Sequence, residues 1–118
     1  MIQWIPLEDK SLLPKIEQLS FIQPCIIFKH STRCMLSAIA KMNLEENEHQ
    51  TLLPLKAYLL DIIAFPVVSS AVSEHFSEYH ESPQLLLIQN GECTYEASHQ
   101  EINLEDLLEE LTEFQSLN

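Results

Sequence analysis

Apolar positions along this chain switch between two periods, and the switches lay out its elements. Ile2–Leu7 reads as a short edge strand ending at Pro6. Between Glu8 and Ser20, Leu12, Ile16 and Leu19 fall at i, i+4 and i+7, the spacing of one helix face, with Leu13 beside them. An interior proline costs about 3 kcal/mol, so Pro14 fits only a first turn, which points to Ser11 as the cap. Cys25-Ile26-Ile27-Phe28 is a continuous apolar run of the kind found in the buried middle of a parallel sheet. The next helix runs from Cys34 to about Asn43, with Met35, Ile39 and Met42 on one line and Leu36 and Ala40 beside it. Ala57–Ile63 is a further apolar run, and Phe65-Pro66 opens a helix to about Tyr79 along the line Val68, Val72, Phe76. Leu85–Ile88 is another buried strand. Asn90-Gly91, which holds the only glycine, is the preferred type I′ turn and pairs that strand with Glu92–Ala97. Asn103 caps a last helix bearing Leu104, Leu107, Leu108 and Leu111, with Asp106 as its capping-box partner.

The order β-α-β-α-β-α-β-β-α predicts an α/β fold, a central mixed sheet with helices on both faces. It is the element order of the thioredoxin fold. With 118 residues and neither repeat nor linker, residues 1–118 form a single domain. Six Lys+Arg against eighteen Asp+Glu give a net charge of −12, which disfavours nucleic acid and anionic membrane surfaces as partners. Ala57–Val68 is broken by Asp61 and Pro66 and falls short of the roughly 20 residues of a membrane helix. The N-terminus shows neither a basic region nor an apolar segment long enough for a signal peptide. The three cysteines match no zinc spacing, and His49, in a loop with Glu45, Glu46 and Glu48, completes no metal set. A reducing cytoplasm is the compartment expected.

Chemistry concentrates in Lys29-His30-Ser31-Thr32-Arg33-Cys34, between the apolar strand and the helix. A cysteine at such a junction meets unpaired N–H groups and the positive end of the helix dipole, a setting that favours the disulfide-attacking thiolate. Arg33, the chain's only arginine, is its neighbour. Cys34-Met35-Leu36-Ser37 has the spacing of a Cys-x-x-Cys motif with serine in the second place. Residues i and i+3 share a helix face, so the Ser37 hydroxyl is expected to bond the Cys34 thiolate. Serine cannot close an internal disulfide, so release from Cys34 needs an outside thiol. Ser82-Pro83, ahead of Leu85–Ile88, is expected to be a cis bond presenting the Ser82 backbone to an extended substrate near Cys34. Lys29, His30 and Arg33 are candidates for attracting an anionic thiol, although strand alternation sends neighbours to opposite faces. Cys25 and Cys93 fall in strands and are expected to be inert. His80 and Glu81 are expected to shape the loop or, for one of them, to be a plain surface residue, and His75 and His99 to be solvent-facing or structural.

Phe28-Lys29-His30-Ser31-Thr32-Arg33-Cys34 with Ser37, His80-Glu81-Ser82-Pro83-Gln84, Ile88-Gln89-Asn90-Gly91 and Ala97-Ser98-His99 together resemble the monothiol bacilliredoxins, the YtxJ-like group. The similarity runs from about Ile26 to Ile102. It implies a thioredoxin-like fold and a reductant of cytosolic proteins that carry mixed disulfides with bacillithiol. Cys34 is then the nucleophile, supported by Ser37 and Arg33, while Ser82, Pro83, Thr32, His30 and Lys29 contact substrate. No bound cofactor or metal is implied; bacillithiol or another low-molecular-weight thiol is the co-substrate, and S-thiolated cytosolic proteins are the partners. One departure stands out. Members typically place proline directly after the reactive cysteine, where this chain has Met35, which loosens the helix start and adds an apolar contact. Two other readings stay open: a non-catalytic adapter using the Ser82-Pro83 groove, and a monothiol iron–sulfur carrier.

Overall fold

The computed structural model describes residues 2–46 and 55–117, with side chains to 45 in the first segment and to 111 in the second. Glu46, Glu48 and His49 of the acidic cluster lie outside the described side chains. Strands β1 (Trp4–Pro6), β2 (Cys25–His30), β3 (Lys56–Asp61), β4 (Gln84–Gln89) and β5 (Glu92–Ser98) form one sheet in the order β1-β3-β2-β4-β5. β1 and β2 run parallel to β3, β4 runs antiparallel to β2, and β5 antiparallel to β4. The helices are α1 (Leu13–Leu19), α2 (Met35–Glu46), α3 (Pro66–Phe76) and α4 (Leu104–Leu117). The sequence of elements is the expected one.

Side-chain alternation sorts the core into two layers. Ile26 and Phe28 of β2, with Leu85 and Leu87 of β4, pack against Ala40 and Leu44 of α2 and Leu104, Leu107 and Leu111 of α4. Cys25 and Ile27, with Leu86 and Ile88, pack against Ile16 of α1 and Val68, Val72 and Phe76 of α3. The register decides where the site lies. Cys25 pairs with Ile88 and Lys29 with Gln84, so the end of β2 stands beside the start of β4. The β2–α2 junction and the Ser82-Pro83 loop therefore share one end of the sheet.

The opposite end is closed by the hairpin. Asn90 and Gly91 have φ of 50° and 82°, the left-handed pair that a type I′ turn needs. A Cβ on Gly91 would lie 2.8 Å from Phe21 Cζ. The Gly91 N–H donates to Ser20 Oγ at 2.8 Å and the Asn90 N–H to the Ser20 carbonyl at 3.0 Å, tying the turn to the end of α1. At α4 the capping box forms as expected: Asn103 Oδ1 accepts from the Asp106 N–H and Nδ2 donates back to Asp106 Oδ2.

Two expectations change. Ser11 does not cap α1: the N-cap position is Leu12, with no side-chain cap bond. Asp9 caps the preceding 3₁₀ turn over Lys10–Leu12, its Oδ1 accepting from the Ser11 N–H at 2.9 Å, and Pro14 falls in the first turn of α1. In α2, Met35, Ile39 and Met42 face outward at 79 %, 48 % and 55 % exposure. Ser37, Ala40 and Leu44 form the inner line. At 100° per residue, Met35 stands about 200° round from Ser37, so hydrogen bonds that draw Ser37 inward turn the methionine line to solvent.

Candidate active site

β2 carries the chain to His30, and residues 31–34 turn it into α2. The Cys34 N–H donates to the Ser31 carbonyl at 3.2 Å, and the Cys34 carbonyl accepts from the Ala38 N–H at 3.2 Å, the first turn of the helix. Cys34 is half-buried, while Thr32, Arg33 and Met35 around it are exposed. Cys34 thus stands at the helix start, with Thr32 and Arg33 exposed in the turn that precedes it. Unpaired N–H groups at that end supply partial positive charge toward it.

Ser37 is fully buried and does not serve the sulfur as expected. Its Oγ accepts from the Ser31 N–H at 3.0 Å and lies 2.6 Å from His30 Nδ1. Burial first, then the Lys41 charge, hold His30 below the usual histidine range, so its ring is neutral at pH 7. Ser37 Oγ and His30 Nδ1 share one proton between them. Ser37 and His30 therefore brace the junction from the α2 side, beneath Cys34. Phe28 meets the His30 ring edge-on, with centroids 5.7 Å apart.

Lys29 goes to the other face, and its expected substrate contact is not made. It is 0 % exposed. Its Nζ donates to the Ser69 carbonyl at 3.1 Å and to Ser73 Oγ at 2.8 Å, both on α3, and to His80 Nδ1 at 3.1 Å. Burial pushes its pKa down to about 8. The reason lies in strand length: β2 continues two residues past the apolar run, so Lys29 sits inside the sheet between Leu60 of β3 and Gln84 of β4. Ser69, Ser73 and the inward turn of His80 were not singled out from the sequence. The available signal was a lysine following a buried strand, with two serines at i and i+4 beside Val68 and Val72.

The Ser82-Pro83 bond is cis, as expected. Pro83 is buried and Ser82 half-buried. The loop is held from the β5 side as well: the His99 N–H donates to the Pro83 carbonyl at 3.1 Å, and His99 Nε2 lies 3.3 Å from Glu81 Oε2. Gln84 Nε2 donates to the Tyr79 carbonyl and to Glu96 Oε2. His99 is thus structural, and so is His75, whose Nε2 lies 2.7 Å from Glu17 Oε1.

The remaining thiols are remote. Cys25 pairs with Ile88, and Ile88 with Cys93, so both sit at the hairpin end of the sheet. β2 alone is about 17 Å long at 3.3 Å per residue, too far for a disulfide to Cys34. All three cysteines are free. Burial pushes the Cys25 thiol up to about 11, and burial followed by the Glu78 charge pushes Cys93 up to about 12. Among the described residues, no group of three or more His, Cys, Asp and Glu could hold a metal ion, and no helix is long and apolar enough to cross a membrane.

This geometry has counterparts among known proteins. One solved structure, a candidate oxidoreductase with a thioredoxin fold, superposes with a TM-score of 0.75 at 24 % identity, over 92 % of this chain and 93 % of its own. A chain of the complex of ferredoxin:thioredoxin reductase with thioredoxin f2 gives 0.69 at 12 % identity, with 96 % of each covered. Reduced thioredoxin of Schistosoma mansoni gives 0.68 at 14 %, over 95 % of this chain and 98 % of that one. These likenesses establish the thioredoxin fold. The model of the monothiol bacilliredoxin family BrxC matches residues 5–107. With one open thiol at a helix start, a serine in the second position and that match across most of its length, the chain belongs to the monothiol bacilliredoxins, thiol–disulfide oxidoreductases built on the thioredoxin fold.

Proposed function

We propose that Cys34 removes bacillithiol from mixed disulfides on cytoplasmic proteins. The Cys34 thiolate attacks the bacillithiol sulfur, a Cys34–bacillithiol disulfide forms, and the protein leaves as its thiolate. A second, external thiolate then attacks that disulfide, releasing Cys34 as thiolate and leaving as a low-molecular-weight disulfide. The number of disulfide bonds is conserved: the one on the target passes to Cys34 and then to the external thiol, which is the reductant consumed. Ser37 cannot substitute for the external thiol, because an alcohol oxygen forms no disulfide.

The observation that carries this reading is the placement of the three thiols: Cys34 half-open at the start of α2, Cys25 and Cys93 in the sheet at its far end. Arg33 and Thr32, exposed beside Cys34, offer charge and a hydroxyl to an anionic thiol. The Ser82-Pro83 loop offers backbone to the polypeptide around the mixed disulfide. Free cysteines accord with a reducing compartment.

The test is to incubate the protein with a bacillithiolated target and locate adducts by intact and peptide mass spectrometry. Wild type gains one bacillithiol on Cys34 while the target loses it, and Cys34→Ser gains none. An intramolecular disulfide between Cys34 and Cys93 or Cys25, or transfer that persists in Cys34→Ser, overturns the mechanism.

A further inference from the structure

We propose that Lys29 and His80 are positioning residues: the buried ammonium clamps β2, α3 and the loop before β4 at one point, fixing the Ser82-Pro83 segment relative to Cys34. The inference rests on the exchange reaction proposed above, since it assigns the loop to that reaction's protein substrate.

Desolvating an ammonium is costly, and an apolar side chain of similar volume usually packs as well or better in such a place. Among the described residues, Lys29 has no carboxylate at hydrogen-bonding distance. Its three N–H groups instead meet three acceptors: the Ser69 carbonyl, Ser73 Oγ and His80 Nδ1. Two belong to successive turns of α3. The third belongs to the loop, three residues ahead of Pro83. The chain path from Lys29 to Cys34 is five residues, braced by Ser37 and His30. One nitrogen atom therefore links the strand that delivers the nucleophile to the loop that flanks it.

His80 is the hinge of this link. The residue is exposed, yet Nδ1 turns inward to Lys29 and lies 3.2 Å from Ser69 Oγ. An ammonium only donates, so Nδ1 must carry a lone pair, which puts the ring proton on Nε2. From the other side the loop is fixed by the His99 N–H on the Pro83 carbonyl and by Glu81 against His99 Nε2. Removing the Lys29–His80 bond takes away the tie of this segment to β2 and leaves it held by Gln84, which bonds the Tyr79 carbonyl and the Glu81 N–H, and by the contacts from the β5 side.

The experiment compares wild type with Lys29→Met, His80→Ala and His80→Asn. In His80→Asn the amide Oδ1 replaces the Nδ1 acceptor, and since position 80 is exposed, both His80 variants fold even if Lys29→Met does not. Amide hydrogen exchange at Glu81 and Ser82, KM and kcat on a bacillithiolated protein, and the iodoacetamide rate of Cys34 are measured. Losing a hydrogen bond to a charged group predicts exchange and KM raised about ten-fold in Lys29→Met and His80→Ala. With the nucleophile untouched, kcat stays within about three-fold and the alkylation rate within about two-fold of wild type. His80→Asn restores exchange and KM to within about three-fold of wild type, which a loss of general stability would not do. Exchange at Glu81 and Ser82 unchanged in both Lys29→Met and His80→Ala overturns the clamp. Faster exchange with unchanged KM overturns its role in substrate placement. If wild type fails to process the bacillithiolated protein, the function reading falls, and the exchange data alone decide the clamp.

Discussion

The two ends of the sheet hold the same functional group in opposite conditions. At the hairpin end, Cys25 opens β2 and Cys93 stands near the start of β5, with thiols pushed up to about 11 and about 12. At pH 7 their ionised fractions are on the order of 10⁻⁴ and 10⁻⁵. At the other end Cys34 stands half-open at a helix start, next to an exposed arginine. The difference follows from chain direction. Parallel strands β2 and β3 both finish at the Cys34 end, where connections leave the sheet and helices begin, while the far end is closed by a two-residue turn packed on α1. Cys25 is buried in the central strand and Cys93 is half-buried on the edge strand, whereas Cys34 stands at a helix start, the positive end of the helix dipole.

The largest test of that contrast is cysteine replacement itself. Cys34→Ser should lower exchange by at least about 10³-fold, whereas a Cys25→Ala/Cys93→Ala double variant keeps it within about two-fold. Release of the low-molecular-weight thiol from a protein mixed disulfide measures both. Next comes Gly91→Ala, at the far end. Its φ of 82° and the 2.8 Å approach to Phe21 Cζ make an added methyl strained. A loss of about 1–3 kcal/mol in denaturant unfolding, with exchange unaffected while the protein stays folded, is expected.

Ser37→Ala perturbs the near end instead. It leaves the buried Ser31 N–H without its acceptor and His30 without its partner, costing about 1–2 kcal/mol and, unlike Gly91→Ala, lowering exchange several-fold. Finally, the ends answer alkaline pH with opposite signs. Lys29 has a folded pKa of about 8 against an ordinary value of 10.5, so between those values the unfolded chain holds a proton the folded one has released. Stability therefore rises with pH through that window on account of Lys29. Cys25 and Cys93, raised from 9.0, hold protons the unfolded chain has lost, so their contribution is full below about pH 9 and disappears toward 11 and 12. Urea titrations from about pH 7 to about pH 10.5 should show the rise vanish in Lys29→Met and the fall shrink in the double cysteine variant.

Much of this molecule was legible from residue pattern. Short apolar runs at Cys25–Phe28 and Leu85–Ile88 mark central strands because nothing polar interrupts them, and Asn90-Gly91 marks the turn from β4 into β5, although the register shift between Leu87 and Ile88 leaves no mark in the sequence. Cys34 was legible because a strand before it and a helix after it define a helix start. Side-chain direction at the junction was not. Lysine ordinarily ends at the surface, so the apolar run reads as stopping at Phe28, yet three acceptors distant in sequence draw Lys29 inside. In α2 two apolar stripes compete for the core, and the bonds of Ser37 to His30 and Ser31 choose between them. Ahead of α1, a 3₁₀ turn capped by Asp9 takes up Ser11, and α1 follows with no side-chain cap of its own. Each miss involves a polar contact whose partner the local sequence does not reveal.

The inward serine also bears on how a two-sulfur catalyst could arise from this scaffold. Exchanging one oxygen for sulfur at position 37 alters a single atom, but that atom is sealed from solvent and already bound to an amide and an imidazole. A larger, weakly accepting sulfur would crowd the pocket and strip the Ser31 amide of its bond before it ever met Cys34. On the proposed mechanism, dependence on a diffusing reductant is then anchored in the architecture around residue 37, and a Ser37→Cys enzyme would need compensating changes at His30 and Ser31 to become self-resolving.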